Sequence, residues 1–196
     1  MFSSALRSVA ASLVLVTALA AGKAEAIENV GNFNAAEKAS IDSVKDVGVL
    51  KSVTVEGKGS VNDVINLDEV QAYAVRRVKE YLPSLRFLNC GAPESTKDPA
   101  GNRTPIDCDT RVEDELVIAF RVWTVGNKKY PIAFHLKVDV TRLRVGEDAP
   151  QLILGSEKLG YTKKNRLQGI VEEYVDQFLN HLGLQLALAK SGAGPN

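Results

Sequence analysis

The sequence predicts an α+β fold, a two-layer sandwich in which an antiparallel sheet of about four or five strands carries two main helices on one face. Three observations predict it. Apolar residues recur at every second position through the stretch 115–143, which is the period of a half-buried strand. The stretches 67–82 and 164–182 instead carry apolar residues at helical spacing. Two helical stripes and one strand face therefore need burial against each other.

The stretch 115–143 is interpreted as a β-hairpin. Its alternating apolar residues are Leu116, Ile118, Phe120 and Val122 in the first strand and Ile132, Phe134, Leu136, Val138 and Val140 in the second. Polar residues occupy most positions between them in the second strand, which predicts one dry and one wet face. Because opposed residues share a face, only an odd number of loop residues puts Val122 level with an apolar partner. A three-residue loop at 126–128 and a five-residue loop both satisfy this condition.

The first 26 residues carry the parts of a secretory signal peptide. Arg7 supplies a basic start, residues 9–21 form an apolar run, and Ala24 and Ala26 make an A-x-A cleavage site. The run is too short to span a bilayer. We therefore expect a periplasmic or secreted protein with no transmembrane segment after signal cleavage.

The rest of the chain is long enough for one domain. We expect a weakly ordered segment over 27–47 with a short helix near 35–44, a single α+β domain over 48–190, and a flexible tail over 191–196. The domain begins with a strand at 49–55, which Gly57 and Gly59 end.

The first main helix has clear start and stop signals. Asn66 can cap it, Glu69 stands three residues on as the returning half of a capping box, and Pro83 stops it. A short strand at 85–89 follows.

The two cysteines of the chain, Cys90 and Cys108, bracket an irregular loop rich in proline and polar residues. In an oxidising compartment such a pair is typical of a disulfide rather than of a metal or redox site. A Cys90–Cys108 bridge would stabilise the fold by roughly 3 kcal/mol on the loop-entropy model. Asn102 begins a glycosylation sequon, which matters only in a eukaryotic source.

The chain closes with a strand at 151–154 and a helix over 164–182. The helix has a wide apolar stripe, formed by Leu167, Ile170, Val171, Tyr174, Val175, Phe178, Leu179 and Leu182. Gly183 either ends this helix or only weakens it, because apolar residues continue to Leu188.

Charge and motifs exclude several classes of function. Without the signal peptide the chain has 22 basic and 23 acidic residues, a net charge of about −1, so nucleic acid is not an expected partner. The sequence holds no hydrolase, metalloprotease or phosphate-binding motif, and we predict no catalytic residue, no metal ligand and no cofactor.

A possible binding surface comprises Trp123, Tyr130, His135, Lys137 and Asp139. The two aromatic residues flank the hairpin tip with lysines between them, a composition typical of protein contacts, although an aromatic that closes the end of the core is the alternative. The other three share the polar face of the second strand, which suits anion binding or acid–base chemistry, or is simply an exposed sheet face.

A carboxylate pair depends on the length of the hairpin loop. With the three-residue loop Glu115 would lie opposite Asp139, and such a pair can act as an acid and a base. Like charges opposite each other destabilise a sheet, which favours the five-residue loop instead.

The order of these elements is that of a known class of domain. With its strand at 49–55, helix at 67–82, hairpin at 116–140 and closing helix at 164–182, the chain resembles the small periplasmic α/β domains of bacterial envelope accessory proteins. It lacks the lipobox cysteine that several of them have. The resemblance implies an assembly or binding role and carries over no functional residue.

Two functions follow as expectations. The first is an exported, non-enzymatic protein that binds an envelope protein or a small ligand or assists envelope assembly. The alternative is a small secreted hydrolase or isomerase that uses acidic residues and His135.

Overall fold

The computed structural model describes residues 33–90, 108, 113–126, 131–147 and 149–192. These residues form a five-stranded mixed sheet and three α-helices, which confirms the α+β class. The elements in chain order are α1 (Ala35–Asp42), β1 (Val49–Gly59), a 3-10 turn (Val61–Asp63), α2 (Leu67–Tyr81), β2 (Arg86–Phe87), β3 (Asp114–Val125), β4 (Ile132–Arg144), β5 (Gln151–Thr162) and α3 (Lys164–Ser191). The expected signal peptide, Asn102, Tyr130 and the part of the expected tail beyond residue 192 lie outside the described residues.

The sheet has the strand order β2-β1-β3-β4-β5 and is not purely antiparallel. Strand β1 runs parallel to both β2 and β3, whereas β3, β4 and β5 are antiparallel neighbours. The predicted all-antiparallel sheet is therefore wrong for β1. Helix α2 carries the chain back to the end of the sheet where β1 began, so β2 enters in the same direction as β1. A period-two burial pattern carries no information on this direction.

The hairpin pairs in a register that confirms the predicted shared face. Phe120 lies opposite Val138, and Val122 lies opposite Leu136. Val122 would lie opposite Ile132 with a three-residue loop at 126–128, so that loop is wrong, although the odd parity holds. The loop length itself depends on residues 127–130, which lie outside the described residues.

The buried hairpin face packs on helix α3. The ring of Phe120 meets the rings of Tyr174 and Phe178 edge-on, at centroid distances of 6.4 and 6.0 Å. Phe178 also contacts the ring of Phe33 at 6.0 Å. The described part of the segment expected to be weakly ordered thus enters the core, and its buried side chains are Phe33, Ile41, Val44 and Val47.

Helix α2 begins at the predicted cap residue, Asn66, but Glu69 does not form the returning bond of the predicted capping box. The side chain of Asn66 accepts hydrogen bonds from the backbone N–H groups of Asp68 and Glu69. The carboxylate of Glu69 accepts instead from Nε2 of Gln168 on α3, while Oε1 of Gln168 accepts from the N–H of Asn66 at 3.4 Å. One glutamine of α3 therefore joins both halves of the cap and fixes the two helices to each other.

Helix α3 continues through Gly183 to Ser191, so of the two alternatives the glycine does not end the helix. A Cβ atom at Gly183 would lie 2.1 Å from the carbonyl oxygen of Tyr81, at the end of α2. The close approach of the two helices at this point requires a residue without a side chain.

A disulfide bond and an ion pair add further links between parts of the fold. The predicted disulfide is present between Cys90 and Cys108, with their Cα atoms 5.7 Å apart. Arg142 forms an ion pair with Asp114 on the neighbouring strand and donates to the carbonyl oxygen of Ser43 at 3.1 Å, which ties the end of α1 to the sheet.

Candidate functional site

The sheet has a second face, which carries the described residues of the predicted surface, Trp123, His135, Lys137 and Asp139. We call it the open face. The register places Lys58, Trp123, His135 and Leu159 in one row across β1, β3, β4 and β5, and Glu56, Arg121, Lys137 and Glu157 in the next row. Four strands spaced about 4.8 Å apart make each row roughly 14 Å wide.

The ring of Trp123 is the centre of the first row. It stacks on the ring of His135, with centroids 5.0 Å apart and planes 23° from parallel. Nζ of Lys58 lies 5.9 Å from its centroid, within the range of a cation–π contact. His135 Nε2 is 2.9 Å from Oε2 of Glu157. The indole is thus held flat against a polar neighbour on each side instead of being buried in the core.

The second row is an ion-pair network around one buried carboxylate. Asp139 is 8% exposed and forms an ion pair with Arg121, while Nζ of Lys137 lies 3.3 Å from its Oδ1. Arg121 Nε also lies 3.4 Å from Oε2 of Glu56. A charge buried in this way needs such partners, so Asp139 organises the cations around it. Gly155 leaves the room this requires, because its Cβ would lie 3.3 Å from Oδ1 of Asp139.

We call the first row the tryptophan row. Large apolar side chains in this row and beside it are exposed to solvent. Val125 is 75% exposed, Leu159 is 67% exposed and Tyr161 is 81% exposed. Together with Trp123 they form an apolar area bordered by charged residues, which is the composition of a protein contact surface.

The structure brings together most of the predicted surface. Trp123 contacts His135, and Lys137 contacts Asp139 in the adjoining rows. Lys58, Leu159 and Tyr161 were missed because the predicted strands ended at residues 55 and 154. The alternation of Glu157, Leu159 and Tyr161 with their neighbours was the available signal.

The pairing of Glu115 with Asp139, which would allow acid–base chemistry, is not formed. Glu115 pairs with Leu143 and Asp139 pairs with Ala119, so the two carboxylates are not opposite each other. Glu115 stands eight residues along β3 from Trp123, the neighbour of His135, which is roughly 26 Å at the rise of a strand.

Two cavities lie away from the tryptophan row. One of about 290 Å³ is lined by residues that include Lys51, Glu115 and Arg144. Its Glu115 is 5% exposed and its Oε1 accepts from Nζ of Lys51 at 2.6 Å. The other, about 630 Å³, lies at residues 62–68 and Lys164, next to the start of α2. Neither is lined by Trp123 or His135.

Several groups at packing contacts have a shifted pKa. Burial raises the pKa of the Tyr174 phenol to about 12, and its hydroxyl donates to the carbonyl oxygen of Ser156 at 2.8 Å. Desolvation and a hydrogen bond to Asp176 raise the pKa of Tyr81. The Arg142 guanidinium holds the pKa of Asp114 below its usual value. These shifts mark structural contacts of the helices and strands.

Two further features concern metal binding and membrane crossing in the part of the chain that the structure describes. There, no three His, Cys, Asp or Glu side chains come together as a metal site would require. None of the helices in the same residues has the length and apolar character of a membrane-crossing segment.

Comparison with known proteins gives no assignment. No protein-family model matches the chain, and no curated protein matches it with significant similarity.

Proposed function

We propose that the chain is an exported, non-enzymatic accessory protein whose open face docks a protein partner of the cell envelope. The observation that carries the proposal is the tryptophan row with its exposed apolar border. Large aromatic and aliphatic side chains in water are costly to retain unless a partner covers them, since burial recovers about 25 cal/mol per Å² of apolar surface.

The chemistry of the face favours a protein over a small ligand. Trp123 offers a broad, rigid surface, and tryptophan and arginine are the residue types that contribute most to protein interfaces. The ion pairs around Asp139 hold Arg121 and Lys137 in place at the edge of the apolar area. A small molecule would need a concave site that encloses most of its surface, and the two described cavities lie elsewhere.

Export is supported by the sequence and by the disulfide. The amino-terminal signal pattern predicts secretion, and bridges such as Cys90–Cys108 persist in oxidising compartments. An envelope location would place the open face among other exported proteins.

Photo-crosslinking in intact cells tests the proposal. A photoreactive amino acid at Val125, on the border of the tryptophan row, should capture a discrete partner. The same probe at Lys79, exposed on helix α2, is the matched control and should capture none. Trp123→Ala should reduce capture from Val125 at least tenfold, because loss of a central interface tryptophan costs about 2 kcal/mol or more.

Two outcomes would contradict the proposal. One is equal capture from Val125 and Lys79. The other is capture from Val125 that Trp123→Ala leaves unchanged while the variant remains folded.

A further inference from the structure

The two edges of the sheet differ in how far their backbone groups are hydrogen-bonded. On the β1 side, the short strand β2 pairs only with Val49 and Leu50. Further along β1 the side-chain amide of Gln71 bonds to the strand. Its Oε1 accepts from the N–H of Val55 at 2.7 Å, and its Nε2 donates to the carbonyl oxygen of Val53 at 2.8 Å. A glutamine of helix α2 thus replaces a neighbouring strand and closes this edge.

The β5 edge has no such closure over its second half. Strand β5 is the last strand of the sheet and runs from Gln151 to Thr162. The hydroxyl of Tyr174 reaches the carbonyl oxygen of Ser156, but in the described residues no side chain or strand bonds to the outer edge of residues 157–162. Leu159 and Tyr161 are the most exposed apolar side chains of β5. A strand edge whose backbone groups are unpaired is a template for another strand.

We propose that a second copy of this chain adds to the β5 edge, antiparallel about a two-fold axis at Gly160. Most soluble homo-oligomers are two-fold dimers, and an edge strand satisfies its backbone groups by pairing with itself. The product is a continuous ten-stranded sheet.

Cross-strand pairing favours this axis over the three preceding ones. In an antiparallel pair opposed residues share a face, so the two-fold passes through one residue. An axis at Glu157 or Lys158 would put like charges opposite each other, and an axis at Leu159 would leave Glu157 opposite Tyr161.

An axis at Gly160 places complementary residues opposite each other on the open face. Glu157 then faces Lys163 of the second copy, and Leu159 faces Tyr161 of the second copy. Each pair occurs twice by symmetry. The backbone of Lys163 is extended, with φ −75° and ψ 147°, so the pairing can continue one residue beyond the strand. Opposite-charge and aromatic–aliphatic pairs are the favourable cross-strand contacts.

The dimer enlarges the open face. Strand β3 lies two strands from the β5 edge, so the two Trp123 side chains would be about 24 Å apart across the axis. The proposed dimer adds to the docking surface without using Trp123 in its own contact.

Sedimentation analysis of the disulfide-bonded mature chain tests the proposal. The wild type should show a concentration-dependent monomer–dimer equilibrium. Lys163→Glu puts two pairs of like charges across the interface and should weaken dimerisation at least about tenfold. Lys164→Glu is the matched control, because it makes the same charge change one residue further on, at the same helix start, and should leave the dimer intact.

Mixing two variants makes the test specific to the register. Glu157→Lys and Lys163→Glu should each be mostly monomeric. An equimolar mixture should form heterodimers, because the lysine introduced in one chain then faces the glutamate introduced in the other. Both positions are exposed, so circular dichroism should show the wild-type fold.

A wild-type chain that stays monomeric at several hundred micromolar would overturn the proposal. So would Lys163→Glu that dimerises as well as Lys164→Glu, or a mixture of Glu157→Lys and Lys163→Glu that remains monomeric.

Discussion

Two glycines of helix α3 should respond in opposite ways to the same substitution. At Gly169 an added Cβ meets nothing within 4 Å, whereas at Gly183 it would lie 2.1 Å from the carbonyl oxygen of Tyr81 and 3.1 Å from its carbonyl carbon. Alanine is the better helix former by about 1 kcal/mol, so Gly169→Ala should stabilise the protein by about 0.5–1 kcal/mol.

Gly183→Ala gains the same helix propensity but forces α2 and α3 apart. The clashing atoms belong to the backbone and cannot rotate away as a side chain would. Overpacking of this kind costs about 1–3 kcal/mol, and a contact this short belongs at the upper end, so the variant should lose about 1–2 kcal/mol net.

Urea unfolding followed by far-UV circular dichroism measures both changes. Thermal unfolding gives a second measure, because in a chain of this size a loss of about 1–2 kcal/mol lowers Tm by roughly 2–8 °C. A Gly183→Ala variant at least as stable as the wild type would refute the close helix crossing. A destabilised Gly169→Ala would show that the propensity argument fails in this helix.

Three further predictions concern stability. Tyr174 has a folded-state pKa of about 12 against about 10 when unfolded, so its contribution is complete below pH 10 and is lost as pH rises toward 12. Between those limits the wild type should lose about 3 kcal/mol relative to Tyr174→Phe, measured by urea unfolding at a series of pH values, and parallel pH profiles would contradict this. Asp114 has a lowered pKa, so its contribution is present above the unfolded value near 4 and is lost as pH falls through the folded value. Asp114→Asn should cost about 1–3 kcal/mol at pH 7 and flatten the acid limb, and an unchanged acid limb would count against the ion pair with Arg142. Cys90→Ser should cost about 3 kcal/mol without reductant and nothing further with it, whereas a wild-type Tm insensitive to reductant would argue against a stabilising bridge.

The hairpin face was predictable because burial follows the chemistry of alternate side chains. Phe120 and Val138 share the buried face whatever the loop length, provided its parity is odd. Loop length itself depends on local turn geometry, which the Gly126 region did not specify. Because the sequence does not specify the loop length, it also leaves open whether Glu115 lies opposite Asp139.

Strand direction was not predictable from burial. Strand β1 shows the same alternation whether its neighbours run parallel or antiparallel, and only the helical crossover through α2 sets the direction. The length of β5 was also missed, because Gly155 and Gly160 weaken a strand signal. In the structure these glycines make room for Asp139 and for the ring of Phe134.

The shared face of the polar residues of β4 was predictable because period two also sorts polar side chains. His135, Lys137 and Asp139 were assigned to one face from β4 alone. Their partners Trp123, Arg121 and Glu157 come from other strands, and only the register brings them together.

The fluorescence of Trp123 tests the central claim most directly, because it is the only tryptophan in the sequence. Titration with the partner captured from Val125 should shift the emission of Trp123 and protect it from a soluble quencher, with saturation at one partner per chain. The double variant Trp123→Phe, Lys79→Trp, whose only tryptophan lies on helix α2, should show neither change. If the partner binds while the emission and quenching of Trp123 stay constant, the open face is not its docking surface.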